Sequence, residues 1–464
     1  MRCFLVAACL ALVGGDCSPA SATAIGVKHD GLKKWKPNMQ ILEDEIDASL
    51  VRSGFVASPE AVLRRVLWVP KETVLILDNR VFVDAKFLSA SKHAAHLTFA
   101  ASVAQRITLP NVAYLFSGGT RGAKRCTRGF ADEVDLPYAV ITKMSGYGQC
   151  GVLVPNPYFG PNVTDWGLEQ ADALLRAEAR PLAQREMKAF WRGNITDRKC
   201  ANDLGNRARL AAGALSVKHP GRFDAFCASL DGCAPRKEAC AAGDADWVRK
   251  EYNGDVQPVG TPYTKEMALL AKDPTPLARD FVAQADYSRY GAMLHLPGAF
   301  TGSYSRNLNR LWAQGAVVLV WDASYVEFYF PGLRSGETHV AVNACDAAGV
   351  MTKLQGDPAD AARLAAGAKR VADNLLCPDC LVHFFEAFAT KVRNHYGMAP
   401  LLDSAPKGQG RATLLESGIV NCSRVELVEV LSSDAHHDAY QRSLPSENLH
   451  VKRLGEQDCE RLFR

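Results

Sequence analysis

The apolar positions of this chain switch repeatedly between helical spacing and strand-like runs. Ser58-Pro59-Glu60 has the form of a helix start, and Val62, Leu63, Val66 and Leu67 then fall on one face. Residues 73–77 and 81–83 read as two strands turning about Asp78-Asn79, and residues 94–107 as a helix. A short buried strand is expected over 112–116, ahead of the loop Gly118-Gly119-Thr120-Arg121-Gly122, with another strand over 138–142. The spacing predicts a helix over 168–185 and a strand at Ala189-Phe190-Trp191 that ends in Arg192-Gly193-Asn194. A strand over 292–296 comes next, then a helix on which Leu308, Leu311 and Trp312 share a face, closed by Gly315. The run from Ala316 to Trp321 is unbroken and rich in Val, which marks a strand buried on both faces. Asp357-Pro358 opens a helix with Ala361, Leu364, Ala368, Val371, Ala372 and Leu375 on its buried side. A second helix carries Leu381, Phe384, Phe385, Phe388 and Val392 and stops near Gly397. Alternating helices and strands argue for an α/β fold.

Length divides this pattern. A chain of 464 residues exceeds one ordinary core. We expect a signal segment over 1–24, since Arg2 precedes an apolar stretch from Phe4 to Val13 and small residues at Ala20-Ser21-Ala22 or Ala22-Thr23-Ala24. A first Rossmann-like domain is expected over 25–185, a second over 186–398, and an extension over 399–464 that can pack back on the first. The Pro/Ser/Gly-punctuated residues 399–407 read as the linker to it, and residues 227–262 as an irregular insertion. No later stretch reaches the ~20 apolar residues that a membrane span needs. A net charge of +4 on a chain this long gives no reason to expect a nucleic-acid partner, and no motif for one is present.

Cysteine usage fits a secretory compartment. Cys3, Cys9 and Cys17 would leave with the signal, and most of the remaining cysteines should pair. Cys227, Cys233 and Cys240 suggest a stapled insertion. Cys377-Pro-Asp-Cys380 has the spacing of a redox pair, but it lies between two helical patterns without a thioredoxin-like setting, so a structural role is favoured. No second cysteine pair stands at zinc-finger spacing, and His436-His437 reads as part of a solvated loop, so no metal is expected. N-glycosylation acceptors occur at Asn162, Asn194 and Asn421. A serine or zinc hydrolase is disfavoured, since neither a Gly-x-Ser-x-Gly elbow nor a HExxH motif occurs.

The candidate chemistry gathers between Pro297 and His339. Gly302, Ser303, Ser305 and Arg306 form a small, flexible, cationic loop ahead of a helix, which suits a phosphate group. Asp322 and Glu327 follow the buried strand, where open α/β sheets place their ligands. In the earlier block, Arg192 beside Gly193 brings a guanidinium and a bare backbone together.

This segment resembles the CAP10-like family of glycosyltransferases, which includes the Rumi-type protein O-glucosyltransferases. The resemblance rests on Gly302-Ser303-Tyr304-Ser305-Arg306, Gly315-Ala316-Val317-Val318-Leu319, Tyr325-Val326-Glu327-Phe328-Tyr329 and Leu333 through His339-Val340-Ala341-Val342. Phe190-Trp191-Arg192-Gly193-Asn194-Ile195-Thr196 is similar to a further family element. It implies two Rossmann-like domains facing a cleft (GT-B-like) and inverting, metal-independent transfer of a sugar from a UDP-sugar to a hydroxyl of a protein or glycan. Glucose and xylose are the sugars it points to, and the secretory lumen or the cell exterior is the location. Arg192, Gly193, Thr196, Gly302, Ser303, Ser305, Arg306, Asn307, Asp322 and Glu327 would then hold the donor. No other cofactor is implied.

Two positions depart from the family pattern. Asn307, beside Arg306, stands where an arginine is usual, and Thr120 stands where the Rumi-type proteins carry the basic aspartate. A threonine hydroxyl is no base near neutral pH. Asp132, Glu133 and Asp135 in the next loop are therefore the candidate bases, and none of them is assigned. The alternative is a non-catalytic protein that binds a nucleotide sugar or a glycoprotein partner.

Overall fold

The turn at Asp78-Asn79 forms as its residues dictate. Both have positive φ (48° and 62°), the conformation of a two-residue hairpin whose twist matches its strands. It joins β1 (Thr73–Leu77) to β2 (Arg80–Asp84), paired antiparallel with Leu77 opposite Arg80. The chain is described by a computed structural model over residues 38–51, 58–67, 72–89, 91–118, 136–144, 151–160, 162–194, 204–233, 261, 264–298, 307–322, 325–403, 409–433 and 449–464. On its other side β1 pairs antiparallel with β3 (Val112–Ser117), and beyond β3 lie β4 (Tyr138–Val140) and β6 (Val152–Leu153), both parallel. Two strands from far along the chain, β13 (Leu427–Ser433) and β14 (Leu449–Arg453), extend the sheet past β2. Its order is β14-β13-β2-β1-β3-β4-β6.

A second sheet is entirely parallel. It comprises β7 (Glu186–Gly193), β8 (Phe223–Cys227), β9 (Tyr290–His295), β10 (Val317–Trp321) and β12 (Val340–Val342), in the order β12-β10-β9-β7-β8. β10 is buried throughout, as its unbroken apolar run requires. Val318 and Val320 join one core while Val317, Leu319 and Trp321 join another on the opposite face. A small antiparallel pair, β5 (Lys143–Met144) with β11 (Tyr325–Val326), ties the segment after β4 to the segment after β10. The fold class is thus α/β, with one mixed and one parallel sheet.

Several helices sit where their caps put them. Asp357 accepts the N–H of Asp360 at 2.9 Å and starts the helix Pro358–Leu375. The helix Pro378–His395 ends before Gly397, at φ +61°. It packs against the helices Met39–Val51 and Val163–Ala179 and against β3, so Phe384, Phe385 and Phe388 share a core with the mixed sheet.

Two expectations are corrected. The helix expected over 168–185 runs instead over Val163–Ala179, because the Asn162 side chain accepts the N–H of Asp165 at 2.8 Å and fixes an earlier start. Pro181 then leads into a separate 3-10 turn, Leu182–Gln184. The linker read over 399–407 begins with a helical turn, Ala399–Leu402, whose Leu401 and Leu402 are buried. Among the described residues, no helix is long and apolar enough to cross a membrane. Disulfides join Cys227 to Cys233, Cys377 to Cys380 and Cys422 to Cys459.

Close helix–loop contact makes one testable demand. A Cβ added at Gly367 would lie 1.7 Å from the carbonyl oxygen of Glu337, which cannot swing aside as a side chain would. Gly367→Ala should therefore lower unfolding stability by about 1–3 kcal/mol, read as a fall in the denaturation midpoint at constant m-value.

Candidate functional site

The chain order of the parallel sheet reverses between β7 and β9. β8 follows β7 on one side, whereas β10 and β12 follow β9 on the other. At such a reversal the two connections leave in opposite directions and open a crevice beyond the carboxyl ends of the strands. Asn194, Pro297 and Asp322 follow β7, β9 and β10 and lie along that edge.

Arg209 bridges the crevice. It projects from the helix Leu204–Lys218, which connects β7 to β8. Its Nε donates to the carbonyl of Pro297 at 3.1 Å, its Nη1 donates to the carbonyl of Asn194, and its guanidinium lies 5.6 Å from the Trp191 ring. One cation thus joins the ends of both strands at the reversal.

Arg192 is placed differently. Its side chain is buried and makes four hydrogen bonds: Nη2 to Asp224 Oδ1 at 2.7 Å, Nη1 to the Asp224 and Trp191 carbonyls, and Nε to the Asp280 carbonyl at 3.4 Å. Tyr290 donates its hydroxyl to the other Asp224 oxygen at 2.7 Å, and Phe190 and Phe226 flank the guanidinium. This is an internal ion pair at the β7–β8–β9 junction, which gives Arg192 a structural role. Gly193 also has a packing reason, since a Cβ there would meet the Trp191 ring at 2.7 Å.

Two histidines lie buried in the same region. His295 ends β9, and His339 immediately precedes β12. Burial, Arg209 and His339 push His295 down to about 3, and burial alone pushes His339 to about 3. Both are therefore neutral at physiological pH. The Thr338 hydroxyl donates to the Arg334 carbonyl at 3.0 Å and meets His339 Nδ1 at 3.0 Å. His339 Nε2 has no partner among the described residues. Nor does His295 Nδ1 have a partner among them.

Glu327 is 1% exposed and lies just after β11. Asn156 donates to its Oε2, while its Oε1 has no hydrogen-bond partner among the described residues. Asn309 donates to Asn156 Oδ1 at 3.1 Å, and Tyr329 donates to Asn309 Oδ1 at 3.4 Å. Burial raises the Glu327 carboxyl to about 8, against a smaller lowering by Asn156, so it is mostly protonated at pH 7. Asp322 is raised to about 6 by burial and by Asp346, and its Oδ1 has no partner among the described residues. Asn307 stands at the start of the short helix Leu308–Leu311 in helical backbone, without a side-chain cap bond; its carbonyl accepts from Arg310 and Leu311.

The expected residues Thr196, Gly302, Ser303, Ser305 and Arg306 and the candidate bases Asp132, Glu133 and Asp135 lie outside the described residues, as does Thr120. Of the rest, Gly193 and Asp322 lie at or beside the strand ends, and Glu327 belongs to the polar network between the sheets. Sequence reasoning missed Arg209, His295, His339, Asn156 and Asn309. Only Arg209 left a usable signal, as a cation on the helix that follows a strand ending in glycine. Chemically, the edge offers the Arg209 cation, the neutral imidazole of His295 and the Asp322 carboxyl raised toward neutrality, groups suited to binding hydroxyl and phosphate groups. No protein-family model matches this chain, and no curated protein matches it.

The buried carboxyl fixes a pH dependence. A folded-state value near 8 lies above the unfolded one, so the native state holds a proton that the unfolded chain gives up. Its contribution is complete below pH ~4.5 and is lost as pH rises through ~8. Glu327→Gln keeps the oxygen that accepts from Asn156 and removes this titration. Its unfolding free energy should fall less than that of the parent between pH 5 and 9, by about a few kcal/mol, in denaturant titrations across that range. An equal fall in both proteins would show that Glu327 does not titrate there.

Proposed function

We propose that this protein is a UDP-sugar-dependent glycosyltransferase of CAP10-like type, with two Rossmann-like domains that face a cleft in the GT-B manner. It moves glucose or xylose to a hydroxyl of a protein or glycan in the secretory pathway, inverting the sugar centre without a metal. The single observation that carries the reading is a coincidence of position. The block Arg192-Gly193-Asn194 ends β7, and the second block follows β9 in the chain; the two strands are parallel neighbours on the two sides of the order reversal. The strands that precede both sequence blocks thus stand side by side where α/β sheets bind nucleotides, which supports the reading.

In this reading the UDP diphosphate lies at the crevice against Arg209, and Asp322 holds ribose or sugar hydroxyls beside it. Developing charge on the leaving diphosphate is stabilised by the fixed cation. Disulfide bonding supports a compartment that is oxidising. The non-catalytic reading is favoured by one observation, the engagement of Arg192 with Asp224 in place of a free phosphate-binding arginine.

UDP release from a panel of UDP-sugars, with and without acceptor hydroxyl compounds, distinguishes these readings. A transferase releases UDP with one donor; a protein that binds UDP tightly but never turns over is the non-catalytic form. Arg209→Gln should weaken UDP binding by about ten- to a hundredfold, the loss expected for one charge-assisted contact. Arg192→Lys should instead act mainly on stability. UDP affinity unchanged in Arg209→Gln would remove Arg209 from the site.

A further inference from the structure

Cys377 and Cys380 close a disulfide across two intervening residues, at the start of the 18-residue helix Pro378–His395. It differs from its two counterparts among the described residues. Each counterpart has at least one cysteine that is at most 1% exposed (Cys227, Cys233 and Cys459; Cys422 is partly exposed), whereas Cys377 and Cys380 are both partly exposed. Cys422 and Cys459 are 37 residues apart in the chain, but Cys377 and Cys380 only 3, and so short a loop restrains the unfolded chain least. Constraint of the unfolded state is therefore a weak reason for this bond.

Its setting supplies a better one. Cys377 is the N-cap residue, and its Sγ accepts the backbone N–H of Cys380 at 3.0 Å. Cleaving the S–S bond leaves that acceptor in place. A thiolate at Cys377 would keep the N–H contact and face the positive end of a long helix, both of which favour the charged sulfur. The Cys380 sulfur lies 3.5 Å from the Asp373 carbonyl, which can receive its S–H in the reduced form. The helix itself is seated independently of the disulfide. Leu381, Phe384, Phe385 and Phe388 are buried, Trp166 Nε1 donates to the Leu376 carbonyl at 2.6 Å, and Pro378 packs so close to Gly167 that a Cβ there would meet it at 2.8 Å. The bond can open and close while the helix stays in place.

We propose that Cys377-Pro378-Asp379-Cys380 is a redox-active pair that exchanges with low-molecular-weight thiols and disulfides. In the oxidising direction the Cys377 thiolate attacks one sulfur of an external disulfide, forming a mixed disulfide and expelling a thiolate. Cys380, losing its proton to solvent, then attacks Cys377 Sγ, closes the internal S–S bond and expels the second thiolate. Two electrons pass from the dithiol to the external disulfide, and two external thiols result once the expelled thiolates take up protons. Two thiols drive the reverse sequence. Cys377 is the exchanging sulfur and Cys380 the resolving one, and the proposal is independent of sugar transfer.

The test uses the full-length protein in buffers of reduced and oxidised glutathione, with free thiols alkylated and mapped by mass. Cys377 and Cys380 should gain two labels at thiol concentrations that leave Cys227–Cys233 and Cys422–Cys459 closed, with the far-UV circular dichroism unchanged. In Cys380→Ser, oxidised glutathione should leave one adduct on Cys377, and Cys377 should alkylate at pH 7 at least about tenfold faster than Cys380 does in Cys377→Ser. Opening of the pair only together with loss of the helical signal would overturn the proposal. So would equal alkylation rates of the two single-cysteine forms, a readout that does not depend on how the parent responds to reductant.

Discussion

The carboxyl group of Glu327 is enclosed by protein, and an enclosed carboxyl must be neutral, bonded or both. Its partner, Asn156, follows the last strand of the mixed sheet, whereas Glu327 follows the small strand that leaves the parallel one. Asn309, Tyr329 and Trp312 continue the chain of contacts into the segment before β10. A polar network of this kind loses its value when any one member shifts, because each group left behind is buried without a partner. It therefore fixes how the loop after β6 meets the segment after β10, with the β5–β11 pair beside it. The unpartnered Oε1 shows that the network is not closed within the described residues.

The two arginines near the strand ends divide two tasks that one residue cannot perform together. Arg192 lies within β7, and its guanidinium meets the carboxylate and carbonyl of Asp224 on β8. A guanidinium held by four bonds between aromatic rings is a fixed structural cation. Arg209 stands on the helix that leaves β7 and reaches back over the strand ends. Helix placement, one layer above the sheet, directs a long side chain to the crevice; strand placement directs it into the neighbouring strand.

The helix Pro378–His395 shows how the two sheets share one interior. By sequence it closes the second domain, yet its aromatic face is buried with β3 and with the helix Met39–Val51. β13 and β14 make a similar return, adding to the edge of β2 from the far end of the chain. Both returns bury surface that the mixed sheet would otherwise expose, including the free edge of β2.

Signals that act within a few residues were legible. The Asp78-Asn79 turn, the Asp357-Pro358 helix start, the Gly397 stop and the run that became β10 all formed as read, since each depends on the φ preference, hydrogen bonding or apolarity of its own residues. The early start of the helix Val163–Ala179 was equally local, written in Asn162, but the apolar periodicity drew attention past it. The contacts that build the site were not legible: Asn156 meets Glu327 across 171 positions, and Arg192 meets Asp224 across 32. Sequence by itself determined the segments with local cap, turn or apolar-run signals as strands and helices, and that a glycine-ended strand and a buried Val-rich strand flank the candidate chemistry. Only the tertiary structure decided the strand order, the inward turn of Arg192, the bridging place of Arg209 and the isolation of Glu327 from water. Those outcomes depend on which distant surfaces bury one another, a choice made by the whole chain at once.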